Sequence, residues 1–312
     1  MSLASKICEG DVLSAARLMR GLEDEVPEAN EELKQLYPHT GRAYIVGVAG
    51  APGAGKSTLL SSLIGAFRKQ NLTIGVVAVD PTSPFTGGAI LGDRIRMQSH
   101  GVDKGVFIRS LATRGWKGGL AKATVNTIHV MDAMGKDIVF VEAVGSGQGE
   151  IDIAKVADTS IIILTPGMGD EIQMMKAGIL EAADIFVINK ADRDGADNLK
   201  LGLDTMLEMR SHLLGGWKPG IFLTEAIINK GTDQVAEEVL RHKAFLISSG
   251  ELEKRRREKA RLELMMAIES LLLKKYLEKV DQAYLEKTVD KIMHRKTNPQ
   301  AAALKVISTS AS

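Results

Sequence analysis

Short runs of β-branched and aliphatic residues recur through the middle of the chain and alternate with longer stretches of mixed polarity. The runs are continuously apolar, which is typical of strands buried on both faces of a parallel sheet, and the stretches between them suit covering helices. The pattern predicts an α/β fold with a mostly parallel sheet flanked by helices. The predicted strands are residues 44–49, Ile74–Val79, Val106–Ile108, Ile138–Val141, Ser160–Thr165, Ile185–Ile188 and Ile221–Thr224.

Polar, helix-like sequence flanks this region on both sides. Residues 3 to 40 predict two helices, and the chain beyond about residue 233 is helical and strongly charged. The charged stretch contains an i, i+4, i+7, i+8 apolar stripe, which predicts an arm that packs on another helix, from a second subunit. The stripe consists of Leu264, Ile268, Leu271 and Leu272. We therefore divide the chain into an N-terminal helical extension (1–41), a central domain (42–248) and a C-terminal helical arm (249–312).

Composition narrows the choice of partners and compartment. The 312 residues include 40 basic and 39 acidic ones, so no global charge favours nucleic acid or an anionic membrane, and we expect neither as a partner. Glutamates surround the basic cluster Lys254–Arg257, which favours a solvated helix face over a nucleic-acid patch. The single cysteine, Cys8, and the lack of any long apolar run or apolar N-terminal signal predict a cytoplasmic protein.

The clearest motif is a complete phosphate loop, Gly50-Ala51-Pro52-Gly53-Ala54-Gly55-Lys56-Ser57, between the first predicted strand and a helix-like stretch. Its glycines allow backbone N–H groups to surround phosphate oxygens at a positive helix N-terminus. Lys56 would pair with the β- and γ-phosphates, and the Ser57 hydroxyl would bind Mg²⁺. The sequence thus predicts a nucleoside triphosphate site. Its predicted nucleotide-binding positions are Gly53, Ala54, Gly55, Lys56, Ser57 and Thr58.

A second motif, Asn189-Lys190-Ala191-Asp192, follows the sixth predicted strand, at the edge where open α/β sheets bind ligands. The Asp192 carboxylate can accept hydrogen bonds from the ring N–H and exocyclic amine of guanine, whereas adenine would leave it unpaired. Lys190 would lie along the base, and Asn189 would tether this loop to the phosphate loop. Together the two motifs predict GTP rather than ATP.

Two acidic residues follow predicted strands. Glu142 is followed by Ala143-Val144-Gly145, so its carboxylate can hold Mg²⁺ through a water while the Gly145 amide binds the γ-phosphate. Asp80 ends the second strand and can orient Mg²⁺ or the attacking water. The alternative for Glu142 is an N-cap acid before a loop.

The segment from Asp80 to Met97, Asp-Pro-Thr-Ser-Pro-Phe-Thr-Gly-Gly-Ala-Ile-Leu-Gly-Asp-Arg-Ile-Arg-Met, resembles the first switch of the methylmalonyl-CoA mutase-associated GTPases. These are the MeaB/ArgK/MMAA group, also labelled lysine-arginine-ornithine transport kinases. The resemblance spans roughly residues 10 to 305. Further matches are Ile108-Arg109-Ser110, Arg114-Gly115, Gly118-Gly119-Leu120, Pro166–Gln173 and Gly250-Glu251-Leu252 with Arg255-Arg256.

The resemblance implies a P-loop GTPase of the signal-recognition-particle-like class whose C-terminal arm forms a homodimer. It implies a chaperone that serves an adenosylcobalamin-dependent mutase by gating cofactor loading and by protecting or reactivating the enzyme. Lys56 and Ser57 would then hold phosphate and Mg²⁺, and Asp80, Asp93 and Glu142 would surround the metal and the attacking water. Gln173 and Lys176 would lie in the switch that relays the nucleotide state to the mutase.

The chain departs from the family pattern in two places. Its second switch reads Glu142-Ala143-Val144-Gly145-Ser146-Gly147-Gln148-Gly149-Glu150, where the family has a threonine after the glutamate and no glycine at 149. We expect these changes to affect hydrolysis and partner coupling more than nucleotide binding. Thr224-Glu225-Ala226 is a loose version of the loop whose amide contacts the guanine oxygen, and Ala226 fits that role while Glu225 carries no information.

Two other function classes remain open at this point. A nickel-insertion GTPase needs a Cys/His cluster, but the six histidines are scattered singly. A kinase of a periplasmic amino-acid-binding transport protein needs an acceptor that the sequence does not reveal. No glutamine follows Gly145, so we expect slow intrinsic hydrolysis that a partner accelerates. The arginines that could stabilise charge are Arg94, Arg96, Arg109 and Arg114.

Overall fold

The computed structural model describes residues 2–80, 100–112, 117–143, 155–167, 183–209 and 216–309. Seven parallel strands form one sheet in the order β3-β2-β4-β1-β5-β6-β7. The α/β class with a parallel sheet is therefore confirmed. The strands are β1 (Tyr44–Gly50), β2 (Ile74–Asp80), β3 (Val106–Ala112), β4 (Ile138–Ala143), β5 (Thr159–Leu164), β6 (Ile185–Asn189) and β7 (Gly220–Thr224).

Each of the seven predicted runs coincides with a strand, although Thr165 lies one residue beyond β5, and the largest difference is the length of β3. This strand continues to Ala112, four residues beyond its predicted end at Ile108. Among the described strands it lies at the edge and pairs only with β2. An edge strand tolerates polar side chains, so Arg109 and Ser110 interrupt the apolar run without ending the strand.

Helices cover both faces of the sheet. Leu59, Leu60 and Leu63 pack with Val235 and Val239 in the core on one face. The N-terminal helices and the helix at 117–133 form the core on the other face, and the helix at 196–209 packs near β5 and β6. The described helices are α1 (Leu3–Cys8), α2 (Val12–Glu23), α3 (Pro27–Leu36), α4 (Lys56–Lys69), α5 (Lys117–Ala133), α6 (Ala196–Met209), α7 (Thr232–Ser248), α8 (Glu251–Leu277), α9 (Gln282–Met293) and α10 (Pro299–Thr309).

The N-terminal extension contains three helices, so the prediction of two is wrong. The additional helix boundary lies at Gly10, which follows the end of α1 and has a left-handed φ of 87°. Asp11 then caps α2 by accepting a hydrogen bond from the Ser14 amide at 2.7 Å. A left-handed glycine followed by an aspartate N-cap is a recognisable helix boundary in the sequence.

The chain divides into two compact units, Met1–Lys259 and Ala260–Ser312, and the division falls within α8. In the second unit the four residues of the apolar stripe are all exposed. In the first unit the basic cluster is only partly a solvated face. Arg255 and Arg256 donate hydrogen bonds to Asp184 and to backbone carbonyls, so that prediction is wrong for these two arginines. Among the described helices, none has the length and apolar character needed to cross a bilayer.

Candidate functional site

The predicted motifs meet at the carboxyl edge of the sheet. β1 lies at its centre, with β4 on one side and β5 on the other. The chain leaves β1 toward β2 on one side and later returns to β5 on the other, so strand order reverses here. Such a switch point leaves a crevice at the strand ends, where open α/β sheets bind their ligands.

The phosphate loop connects β1 to α4. Gly55 has a φ of 89°, and a Cβ on it would stand 2.3 Å from Asn189 Nδ2, so only glycine fits this turn. Lys56 is 7% exposed and donates from Nζ to the carbonyl oxygens of Gly50 and Ala51 at 2.8 and 3.1 Å. Backbone carbonyls therefore hold the ammonium inside the loop, where it can meet phosphate charge.

Ser57 and Glu142 form the second contact of the site. The Ser57 hydroxyl donates to Glu142 Oε1 at 2.8 Å, and both side chains are buried. Glu142 is positioned by strand pairing, because it lies opposite Val48 in the β1–β4 register. A hydroxyl and a carboxylate side by side provide the hard oxygen ligands that Mg²⁺ prefers, so these residues fit the predicted metal site.

Asn189 links the phosphate loop to the loop after β7. Its Nδ2 donates to the Ala54 carbonyl at 2.9 Å. Its Oδ1 accepts from the Thr224 hydroxyl and from the Ala226 amide, both at 3.1 Å. Asn189 is 3% exposed, so these bonds form away from water and fix the relative positions of three loops.

Lys190 and Asp192 follow on the same loop. Lys190 has a left-handed φ of 58°, and its Nζ donates to the Gly53 carbonyl at 2.7 Å. The lysine stem therefore reaches from the end of β6 to the phosphate loop and offers its methylene groups as a flat surface for a base. Asp192 is exposed two residues later, where its carboxylate can accept hydrogen bonds from a ligand.

The loop after β7 carries two charged residues, Glu225, to which the sequence assigned no role, and Lys230, which it did not single out. Glu225 and Lys230 exchange backbone hydrogen bonds, and Lys230 Nζ lies 2.5 Å from Glu225 Oε1. The hydrogen bond with Glu225 raises the pKa of Lys230 above its usual value. In the sequence, an acidic and a basic residue flank a short, mainly apolar segment and precede Gly231. This spacing would have predicted a loop closed by an ion pair.

Several predicted site residues lie outside the described residues: Asp93, Gly145, Gln173 and Lys176. Asp80 ends β2 as predicted, but only its backbone is described. Only the backbone of Ala143 is described, and Gly149 lies outside the described residues. Arg109, a candidate for charge stabilisation, instead donates from Nε and Nη2 to Glu23 Oε1 of α2. Its contact is with the N-terminal extension, so the structure does not support that role.

A second charged cluster lies at the opposite, amino edge of the sheet. Asp158 and Asp184 precede β5 and β6 and accept from the amides of Ile45 and Ser160, each at 2.8 Å. Arg255 donates to both carboxylate oxygens of Asp184, at 3.0 and 2.8 Å. Lys259 pairs with Asp158. These charges satisfy one another, which is the arrangement of a structural cluster.

His242 is buried at the same edge. Its Nδ1 lies 2.8 Å from the Thr159 hydroxyl, and its Nε2 lies 3.4 Å from Asp184 Oδ1. Burial lowers the pKa of His242 from 6.5 to about 4, despite the nearby Asp184 charge. Among the described residues, no group of three or more His, Cys, Asp and Glu side chains could hold a metal ion.

Comparison with known proteins supplies the family. Residues 15–281 match the family model described as methylmalonyl Co-A mutase-associated GTPase MeaB. A Pyrococcus abyssi protein named as a GTPase is 46% identical over 303 residues, covering 96% of this chain and 94% of its own length. The GTPase ArgK of Escherichia coli is 33% identical over 263 residues, covering 82% of this chain and 78% of its own.

Two further similarities extend the comparison. The mouse mitochondrial methylmalonic aciduria type A homolog is 32% identical over 234 residues, which cover 74% of this chain and 56% of the mouse protein. A crystal structure named LAO/AO transport system kinase matches with a TM-score of 0.71 and 25% identity, covering 99% of this chain and 97% of that one. The phosphate loop, the Ser57–Glu142 pair and the Asn189 loop described above agree with these matches. The chain is a GTPase that belongs to the methylmalonyl-CoA mutase-associated GTPase MeaB family.

Proposed function

We propose that this GTPase is a Mg²⁺-dependent G-protein chaperone for an adenosylcobalamin-dependent acyl-CoA mutase. It would act in cofactor loading and in protecting or reactivating the enzyme. The observation that carries the proposal is the nucleotide site, in which Asn189 joins the phosphate loop to the loop after β7. The family model that the chain matches is named for its association with methylmalonyl-CoA mutase. The name of the mouse relative points in the same direction.

The residues of the site suggest how they would contribute to hydrolysis. Phosphoryl transfer to water depends on positioning and on charge neutralisation. Lys56 would bind the β- and γ-phosphates, which carry the charge that develops. Ser57, Asp80, Asp93 and Glu142 would hold Mg²⁺ and orient the water, and the metal would neutralise phosphate charge. The Gly145 amide would bind the γ-phosphate.

Guanine recognition is assigned to Asn189, Lys190, Asp192 and Ala226. The Ala226 amide would approach the guanine oxygen, and Lys190 would cover one face of the base. Asp192→Asn should move preference from GTP toward xanthosine triphosphate, because the amide group matches the altered edge of xanthine. Calorimetry with both nucleotides measures the change. Asp204→Asn, at an aspartate on α6 away from these loops, is the matched control. An Asp192→Asn variant that keeps its former margin for GTP would contradict the assignment.

Partner choice is tested by co-purification of the full chain with candidate cobalamin-dependent mutases in the presence of GTP and of GDP. We expect a complex whose amount depends on the nucleotide, because Gln173 and Lys176 are proposed to relay the nucleotide state. Lys56→Ala should remove that dependence. Absence of any complex with methylmalonyl-CoA mutase and its relatives, under conditions where the chain binds GTP, would overturn the chaperone proposal while leaving the GTPase assignment intact.

We further propose that the C-terminal arm forms a homodimer. Support comes from the exposed apolar stripe, since a helix in water buries such a face against a partner. Replacing Leu264 and Leu271 together with glutamate should convert a dimer into a monomer. Light scattering measures the mass, and circular dichroism tests whether the helices remain. A wild-type chain that is monomeric at micromolar concentration would contradict this proposal.

The name of the matched crystal structure supports a second candidate, a kinase acting on an amino-acid transport protein. The two functions differ in the fate of the γ-phosphate. Radiolabel from γ-labelled GTP would pass to a periplasmic binding protein in a kinase, whereas a GTPase releases it as inorganic phosphate. Stoichiometric protein labelling would favour the kinase.

A further inference from the structure

The loop after β7 is closed by a contact that we name the base-loop clasp: the Glu225–Lys230 ion pair and its two backbone hydrogen bonds. The Glu225 amide donates to the Lys230 carbonyl at 3.0 Å, and the Lys230 amide donates to the Glu225 carbonyl at 3.2 Å. The Lys230 side chain is 70% exposed, whereas that of Glu225 is only 18% exposed. Glu225 is therefore the more fixed partner, and the Lys230 side chain lies on the solvent side of the ion pair.

The loop that carries Asp192 lies beside the clasp, because the Ala191 amide donates to the Thr224 carbonyl at 3.0 Å. Asp192 and Glu225 each follow directly after one of these two residues, so the carboxylate proposed to read guanine and the clasp lie on adjacent loops. The Asp192 charge also raises the pKa of Lys230, although less than Glu225 does. The ammonium of a lysine is a compact charge on a flexible stem, so it can change partners by rotation of exposed methylene groups. Lys230 pairs with Glu225 at hydrogen-bond distance, and no ion pair joins it to Asp192 among the described residues.

We propose that Glu225 is a specificity-determining positioning residue that holds Lys230 away from Asp192 and so keeps the Asp192 carboxylate available to the guanine base. The inference rests on the proposed role of Asp192. A carboxylate already bound to an ammonium must give up that contact before it can accept the N–H groups of a base, which lowers nucleotide affinity. Glu225 prevents this competition without touching the nucleotide.

A double-mutant cycle on the full chain tests the proposal with GDP as the probe. Glu225→Ala frees Lys230 and should weaken GDP binding about two- to fivefold, the range that an exposed ion pair supports. Lys230→Ala alone should bind GDP as the wild type does. The double variant Glu225→Ala/Lys230→Ala should recover affinity to within about twofold of the wild type, because the competing cation is gone.

The matched control is the Glu251–Lys254 pair of α8, which has the same residue types and the same 2.5 Å separation. Neither Glu251→Ala nor Lys254→Ala should change GDP affinity. Ionic strength gives an independent readout, since a competing surface ion pair is screened by salt. The difference in GDP affinity between Glu225→Ala and the wild type, measured at the same salt concentration, should shrink as salt is raised toward about 1 M.

Two outcomes would overturn the proposal. If the double variant binds GDP as weakly as Glu225→Ala, the clasp only maintains the shape of the loop. If Glu225→Ala binds GDP as tightly as the wild type, Lys230 does not compete. Asp192→Asn separates this inference from the guanine assignment. If Asp192→Asn loses its preference for GTP, the guanine assignment stands, and a failed double-mutant cycle counts only against the role of Glu225. If Asp192→Asn keeps its preference for GTP, the guanine assignment itself is wrong.

Discussion

At the carboxyl edge of the sheet, the cations Lys56 and Lys190 are held by backbone carbonyls, whereas at the amino edge Arg255 and Lys259 are held by carboxylates. Carbonyls orient an ammonium without neutralising it, so a lysine held in this way keeps its full charge for a phosphate. A carboxylate neutralises its partner, so nothing remains to attract a ligand. The described partners of these cations, carbonyls at one edge and carboxylates at the other, are what differs between the nucleotide site and the structural cluster.

Neutralising Lys56 should give the largest effect on function. Each hydrogen bond to a charged group contributes about 1.5–3 kcal/mol, so losing contacts to two phosphates should weaken GTP binding by about 100-fold or more. Lys56→Ala should keep the fold, because position 56 is the first residue of α4 and alanine is the most favourable residue in a helix. Calorimetry measures affinity and circular dichroism measures folding. Lys69→Ala, at the exposed far end of the same helix, is the control and should bind GTP normally. Unchanged affinity in Lys56→Ala would remove the basis of the site.

The opposite result is expected at the amino edge. Lys259→Met leaves the Asp158 carboxylate, which is 1% exposed, without its cation. Breaking a buried ion pair from one side costs about 3 to 4 kcal/mol of unfolding free energy. GTP affinity of the folded protein should stay the same, since the cluster is at the other end of the strands. Urea unfolding measures the loss.

Lys254→Met is the control for this change, because Lys254 lies on the same helix and its pair with Glu251 is exposed. It should leave the urea midpoint unchanged. GTP affinity is measured at urea concentrations where Lys259→Met is still fully folded. A lower affinity under these conditions would show that the two edges of the sheet are coupled, and the comparison would fail.

The sequence predicted the parts of the structure that depend on local pattern. The strands followed from continuous apolar runs. The nearness of Ser57 to Glu142, and the tether from Asn189 to the phosphate loop, followed from motifs placed at strand ends. Contacts between residues that are distant in the chain and belong to no motif could not be predicted. Arg109 pairs with Glu23, and Arg255 with Asp184, because packing brings their elements together. Nothing in the sequence near either arginine identifies its carboxylate partner.

The smallest expected effect concerns His242 and is visible only as pH dependence. Its pKa is about 4 in the folded protein against 6.5 when exposed, so below pH 6.5 the unfolded chain takes up a proton that the folded chain does not. This contribution to stability is complete above pH 6.5 and is lost progressively toward pH 4. It amounts to about 3 kcal/mol at the acid end of this range. Urea unfolding across this range measures the slope, and His242→Gln should flatten it, whereas the exposed His39→Gln should not. GTP affinity should not follow the same titration, because His242 lies at the amino edge. A matching loss of affinity would show that protonation there reaches the nucleotide site.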